Sequence, residues 1–401
     1  MTLKSSLDDL LAGGAASGAV PGVVALVTDR ERTLYEGAFG VRALGTDGAM
    51  TVDTVGWIAS LSKAITSTAC MQLVEQGRIN LDSPAKQWVP RLGQAQVLDG
   101  FDDAGQPRMR PPVRDITLRH LLTHSAGFGY EFWSADTGRY QAATGTPGII
   151  SCTEAALAQP LMFDPGERWL YGINIDWAGK IVEAVSGQKL GAYLQENLLG
   201  PLGMHDTAFL IRPDMQARLA KIHHRQDDGT LVAGALVIEQ NPENQMAGGG
   251  LYGTMPDYIR FLRMMLNDGL ADGSSGVGGG IGGAGPRVLK AETVQQMCRN
   301  AMGDLRVQLL PTQAATLTND AEFFPGVEKS WGLSMQINET AAPTGRPAGG
   351  LMWAGLANAY YWIDRQTGLG GAYMTQILPF ADSRSLPLYY AFETAVYRAL
   401  R

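Results

Sequence analysis

Strand-forming runs stand at the two ends of this chain while helices fill the middle, and no other feature narrows the accessible folds as much. GVVALVTDRERTLYEGAFGV (22–41) holds two β-rich runs about a charged turn, which predicts a hairpin. In the last quarter SWGLSMQIN, GLMWAGLANAYYWID and GGAYMTQILPF follow one another, separated by turn signals such as RQTGLG. A short helix is expected over 4–13 (KSSLDDLLAG) and a closing one at PLYYAFETAVYRAL. Strands this far apart share a sheet only if both termini build it. The predicted fold class is therefore α+β, an antiparallel sheet flanked by N- and C-terminal helices and carrying an inserted helical lobe. The expected division is a sheet domain from 1–78 and 230–401, a helical domain over 79–229, and an active site between them.

The middle supports this. ITLRHLLTHSAGFG (116–129), IDWAGKIVEAVSG (175–187), PDYIRFLRMMLNDG (256–269) and LKAETVQQMCRN (289–300) are helical in pattern. GLADGSSGVGGGIGGAGP (269–286) is low-complexity and predicts a flexible surface loop. A net charge of −7 argues against a nucleic-acid or anionic-membrane partner. No apolar run reaches the roughly 18–20 residues of a membrane-spanning helix. Asp8 and Asp9 interrupt the stretch where a secretion signal needs an apolar core, and three scattered cysteines give neither a disulfide framework nor metal spacing, so a cytoplasmic location is expected.

WIASLSKAITSTACMQLVEQG (57–77) is an apolar helical run that keeps a lysine. Ser60 and Lys63 lie at i and i+3 on one helical face, so their side chains are neighbours. Burial favours the uncharged amine, and an uncharged amine can accept a hydroxyl proton and turn the serine into a nucleophile. At the start of its helix, Ser60 would also have backbone N–H groups beside a developing oxyanion. S-x-x-K occurs twice more, as Ser83/Lys86 and Ser186/Lys189, but the first opens at Ser83-Pro84 and the second sits at a helix end. Only Ser60 opens a buried run. Alone, the spacing reads more simply as a cap with a snorkelling lysine.

It has company. ITLRHLLTHSAGFGY, DPGERWLYGINIDWAGKIVEAVSG, LGPLGMHDTAF and AGGGLYGTMPDYIRFLRMML, in that order over nearly the whole chain, resemble segments of the serine β-lactamase/penicillin-recognising superfamily. Within it the sequence looks most like the class C β-lactamase-like carboxylesterases, the family VIII esterases. The resemblance implies a β-lactamase-like fold, Ser60 as nucleophile, Lys63 as the helix lysine, and Tyr171 in WLYGIN as the second-motif tyrosine. Whether Lys63 or Tyr171 takes the first proton stays open at this level; they are expected to titrate together. Two departures from the β-lactamase pattern carry information. Ile173 stands where the second motif has Asn, and Trp353-Ala354-Gly355 stands where the third has Lys-Thr-Gly. Trp353 cannot hold an antibiotic's carboxylate, so an uncharged ester suits the site better. The same match makes the backbone N–H groups of Ser60 and Leu356 the oxyanion hole, and puts Trp353, Gly355 and Ile173 in the substrate site. Phe128, Tyr130 and Trp133, with Trp57 and Trp169, are expected to line the acyl or alcohol pocket.

Other patterns resolve into structure. His120 and His124 are spaced like zinc ligands but lack the intervening Glu, and Gly248-Gly-Gly250-Leu-Tyr-Gly253 follows no strand. G-x-S-x-G is absent. The expected function is a serine ester hydrolase working through an acyl-enzyme; the resemblance implies short-chain acyl or aryl esters as substrates and no metal or cofactor, with weak β-lactam hydrolysis as a side activity. The alternatives are an amide hydrolase (β-lactamase, D-aminopeptidase or oligoamide type) or an acyltransferase on the same fold. The sequence leaves the oligomeric state, homo-oligomer included, open.

Overall fold

The computed structural model describes residues 2–272 and 285–400. Most of the glycine-rich loop anticipated at 269–286 thus lies outside the described residues. Among those described, seven strands form one sheet: β1 (Gly22–Thr28), β2 (Thr33–Gly40), β3 (Lys329–Trp331), β4 (Gln336–Asn338), β5 (Leu351–Gly355), β6 (Ala359–Asp364) and β7 (Leu369–Met374). Their order is β2-β1-β7-β6-β5-β4-β3, antiparallel throughout. The non-local join pairs Val24 with Met374 and Thr28 with Gly370. SWGLSMQIN is two strands rather than one, turned back at Ser334 (φ +76).

Every residue of β1 and β6 is buried, as continuous apolar runs require when both faces of a sheet are covered. Successive side chains of β6 point to opposite faces. Trp362 packs on Phe392 of the closing helix (Ser385–Ala399), which lies beside the opening helix (Leu3–Ala16). Tyr361 packs on Tyr258 of a helix at Met255–Leu266. That helix starts at Thr254, whose side chain caps the Asp257 N–H, followed by Pro256 in its first turn.

On the Tyr361 face lies a helix at Ser62–Glu75, packed against another at Asn174–Ser186. The first is buried on all sides from Ser62 to Leu73, so its hydroxyls find internal partners, Thr66 on the Ala247 carbonyl and Thr68 on that of Ala64. It ends before Gly77 (φ +70), the second before Gly187 (φ +76); both glycines supply the left-handed turn a helix end needs. Residues 79–229 carry short helices, including Leu118–Leu122 and Ala135–Thr144, and a small hairpin (Val97–Phe101 with Pro107–Arg110). The predicted helix at 116–129 is only Leu118–Leu122, because His124 (φ +54) breaks it. No helix among the described residues is long and apolar enough to cross a membrane.

Candidate active site

Ser60 does not sit in the α-helix itself. It lies in a 3-10 turn, Ala59–Leu61, that leads into the helix at Ser62. Ala59 just before it has φ +46, a left-handed conformation costing an alanine about 1–2 kcal/mol, so neighbours must enforce it. They do so from several sides. Ser62 Oγ donates to the Ala59 carbonyl (2.6 Å) and accepts from the Leu251 N–H (3.2 Å). Tyr258 Oη donates to the Leu61 carbonyl (3.1 Å). Gln376 holds both polar groups of the Trp57 backbone, and the Trp57 indole donates to the Gly249 carbonyl.

Lys63 Nζ is 3.0 Å from Ser60 Oγ, 3.1 Å from Tyr130 Oη and 2.6 Å from the Gly248 carbonyl. The side chain is fully buried. Burial drives its pKa down to about 7, against a smaller upward pull from Asp176. Near neutrality it therefore visits both forms. As an ammonium it donates three bonds; as an amine it keeps those to Gly248 and Tyr130 and offers its lone pair to the serine hydroxyl. The other serine–lysine pairs look different. Lys86 is half exposed in an ion pair with Asp115, and Lys189 is exposed.

Tyr171 lies over the same lysine, 4.7 Å from Nζ to the ring centroid. Burial pushes its hydroxyl above the ordinary phenol range, while hydrogen bonds from Ser60 and Trp353 pull the other way. His124 stacks beside the Tyr171 ring (4.6 Å between centroids), with Asn174 Nδ2 3.1 Å from its Nδ1. Burial keeps His124 neutral, its pKa well below the ordinary histidine value. His120 Nδ1 accepts the Thr117 N–H at the start of the Leu118–Leu122 helix. Among the described residues no cluster of metal-ligating side chains occurs.

A cleft opens at Ser60; Trp57, Tyr130 and Trp133 stand in its wall, and so does Leu356, which was expected there for its backbone N–H. Leu356 reaches it because Gly355 lets β5 press against the turn that carries Ser60; a Cβ on Gly355 would collide with the Ile58 carbonyl. Besides Gly355, four anticipated pocket residues lie outside this wall. Phe128 stacks on Trp177 and borders a different cavity, Trp169 stacks behind Tyr171, and Ile173 is buried just ahead of the Asn174–Ser186 helix. Trp353 is also set back, its indole N–H donating to Tyr171 Oη at 2.8 Å. It meets the tyrosine, not the cavity.

Trp353→Phe removes that donor and keeps the aromatic bulk. If Tyr171 takes part in the proton transfer expected of it, turnover falls about tenfold with KM little changed, the size of one lost hydrogen bond. Steady-state kinetics on a chromogenic ester check it; a fall in affinity alone would return Trp353 to the pocket wall.

Sequence reasoning missed Asp176, the Gly248 carbonyl, Phe132, Ile149, Ile150 and Met246 as parts of this region, and placed Tyr130 in the wall without its bond to Lys63. AGGGLYG was the one available signal. Gly248 and Gly250 have no room for a Cβ, which would press on Asp176 Oδ2 in one case and on Phe209 in the other.

The sequence profile described as Beta-lactamase matches residues 7–395. The chain belongs to the beta-lactamase family. Its beta-lactamase-family relatives include the monacolin J acid methylbutanoyltransferase of Aspergillus terreus, 33% identical over 94% of this chain and 92% of that protein. A lovastatin esterase of Penicillium rubens is 30% identical over 98% of each chain. Among solved structures, a mutant of simvastatin synthase from Aspergillus terreus superposes with a TM-score of 0.83 at 30% identity, over 98% of this chain and 94% of that one. The protein is thus an enzyme of the serine beta-lactamase-like hydrolase and acyltransferase superfamily.

Proposed function

We propose that this protein is a serine acyltransferase that carries a small apolar acyl group from an ester donor, through an ester on Ser60, to an alcohol, with hydrolysis as the competing outcome. Sequence alone ranks hydrolysis first and transfer as its alternative; the relatives' names weigh toward transfer, and one of them is an esterase. The observation that carries the proposal is the cavity wall beside Ser60. Trp57, Phe132, Trp133, Ile149, Ile150 and Met246 make up half of it, with no carboxylate or guanidinium among its described residues. Such a wall binds hydrocarbon, excludes water from the acyl-enzyme, and gives an anionic β-lactam no countercharge.

In this mechanism Lys63 accepts the Ser60 proton as Oγ attacks the donor carbonyl. The Ser60 and Leu356 N–H groups hold the oxyanion. Collapse of the tetrahedral intermediate expels the donor's alkoxide, which takes its proton from the lysine ammonium by way of Tyr171. The acceptor alcohol then runs the same steps in reverse: it gives its proton through Tyr171 to Lys63 as it attacks, and Ser60 Oγ takes that proton from the lysine as it leaves, which restores the hydroxyl and the free amine and releases the new ester.

The test is partitioning. With p-nitrophenyl butyrate as donor, an added apolar alcohol is expected to divert most of the acyl group into a new ester at alcohol concentrations far below that of water. Product ratios no better than uncatalysed solvolysis return the protein to simple ester hydrolysis. Preference for a chromogenic cephalosporin or a D-amino-acid amide overturns the acyl-ester reading.

A further inference from the structure

We propose that Asp176 is a positioning residue for acyl transfer, holding the Gly248 loop against Lys63 and supplying the negative charge that stabilises the lysine ammonium formed as Ser60 attacks. Resting on the Ser60–Lys63 chemistry proposed above, it concerns a residue that touches neither nucleophile nor substrate cavity. Asp176 sits in the first turn of the Asn174–Ser186 helix, where a negative charge is favourable. The structure turns it inward, 1% exposed.

Its two oxygens do different things. Oδ1 accepts the Gly248 N–H at 3.0 Å, and the carbonyl of the same glycine accepts Lys63 Nζ at 2.6 Å. One residue is thus gripped by the carboxylate through its N–H and by the lysine through its carbonyl. Oδ2 has no hydrogen-bond partner among the described residues. A Cβ built on Gly248 would stand 2.8 Å from that oxygen, 3.2 Å from Lys63 Nζ and 3.2 Å from Tyr130 Oη. The free oxygen, the amine and the phenol therefore converge on one point, kept empty by glycine. A buried carboxylate with an idle oxygen is destabilising unless a cation answers it.

The groups facing the pair explain why Asp176 matters. Around Lys63 stand Ser60, Tyr130, the Tyr171 ring, the Gly248 carbonyl and neutral His124; among the described groups acting on it, Asp176 alone raises its proton affinity by charge. Around Asp176, Lys180 is four residues along the same helix, but Glu154 and Glu183 already share its ammonium. Burial lifts the Asp176 carboxyl to about 6, and Lys63 pulls it back. At neutral pH the carboxylate thus carries charge when Lys63 gains its proton.

The experiment measures the pre-steady-state rate of Ser60 acylation by a p-nitrophenyl ester against pH in wild type, Asp176→Asn and Asp176→Glu. Asn keeps the shape and removes the charge; Glu keeps the charge. The rate rises with pH as the free amine appears, and without Asp176 the ammonium is less stable. In Asp176→Asn that limb is expected to move down by about one pH unit or more, and the plateau to fall about tenfold. In Asp176→Glu the limb stays at the wild-type pH. An unmoved limb in Asp176→Asn, or equal losses in both variants, overturns the proposal and leaves Asp176 a packing residue. Asp176→Ser, smaller and neutral, replaces an Asn variant that does not fold and carries the same expectation. Absence of any Ser60 adduct in the wild type would instead strike at the acyl-enzyme reading.

Discussion

Ser60→Ala is expected to abolish acyl transfer and hydrolysis together, lowering both by about ten-thousand-fold or more. Every step proposed runs through the ester on Ser60 Oγ, so no bypass retains partial rate. The fold is expected to tolerate the change. Ser60 is half-buried and its hydroxyl bonds to Lys63, so the loss is about 1 kcal/mol, a small shift in the melting curve. Mass spectrometry after brief exposure to the chromogenic ester should find the acyl group on the wild-type peptide holding Ser60, and none on the variant. A Ser60→Ala variant that still turns over ester at the normal rate removes the foundation of the site.

The closeness of Ser60 and Lys63 was legible because it is local: three residues along the 3-10 turn and the helix it opens set their distance. The sheet was legible for a different reason. β1 and β6 bury both faces, so their apolar runs stand out even though their partners are remote in sequence. What stayed hidden depends on where distant loops meet. Asp176 drew no notice in the sequence, because its partner, the Gly248 N–H, comes from a loop 72 residues further on. Trp353 reads as a pocket wall, yet its N–H turns to Tyr171, a contact 182 residues apart in sequence. Phe128 and Trp169 share the composition of the true wall, Phe132 and Trp133, and only the path of the chain separates them.

Lys63→Met asks whether the buried amine serves chemistry at the expense of the fold. Methionine keeps the length and removes the base, so Ser60 acylation is expected to fall by about a thousandfold. The wild-type rate limb near pH 7 should vanish with it, since it reports the free amine. Stability moves the other way with pH. In the folded chain Lys63 loses its proton at about 7, against 10.5 for the ordinary side chain, so between these values the unfolded chain binds more protons. The wild type therefore loses stability as pH falls from about 10.5 toward 7, and Lys63→Met has no such term. Asp176, deprived of its cation, has its carboxyl raised further and adds the same trend, because a raised carboxyl stabilises the fold at lower pH. The melting temperature of the variant relative to wild type should accordingly climb as pH drops through that window. Parallel melting curves from about pH 10 to 7 would mean that Lys63 stays protonated throughout, and an amine that never gives up its proton cannot take one from Ser60.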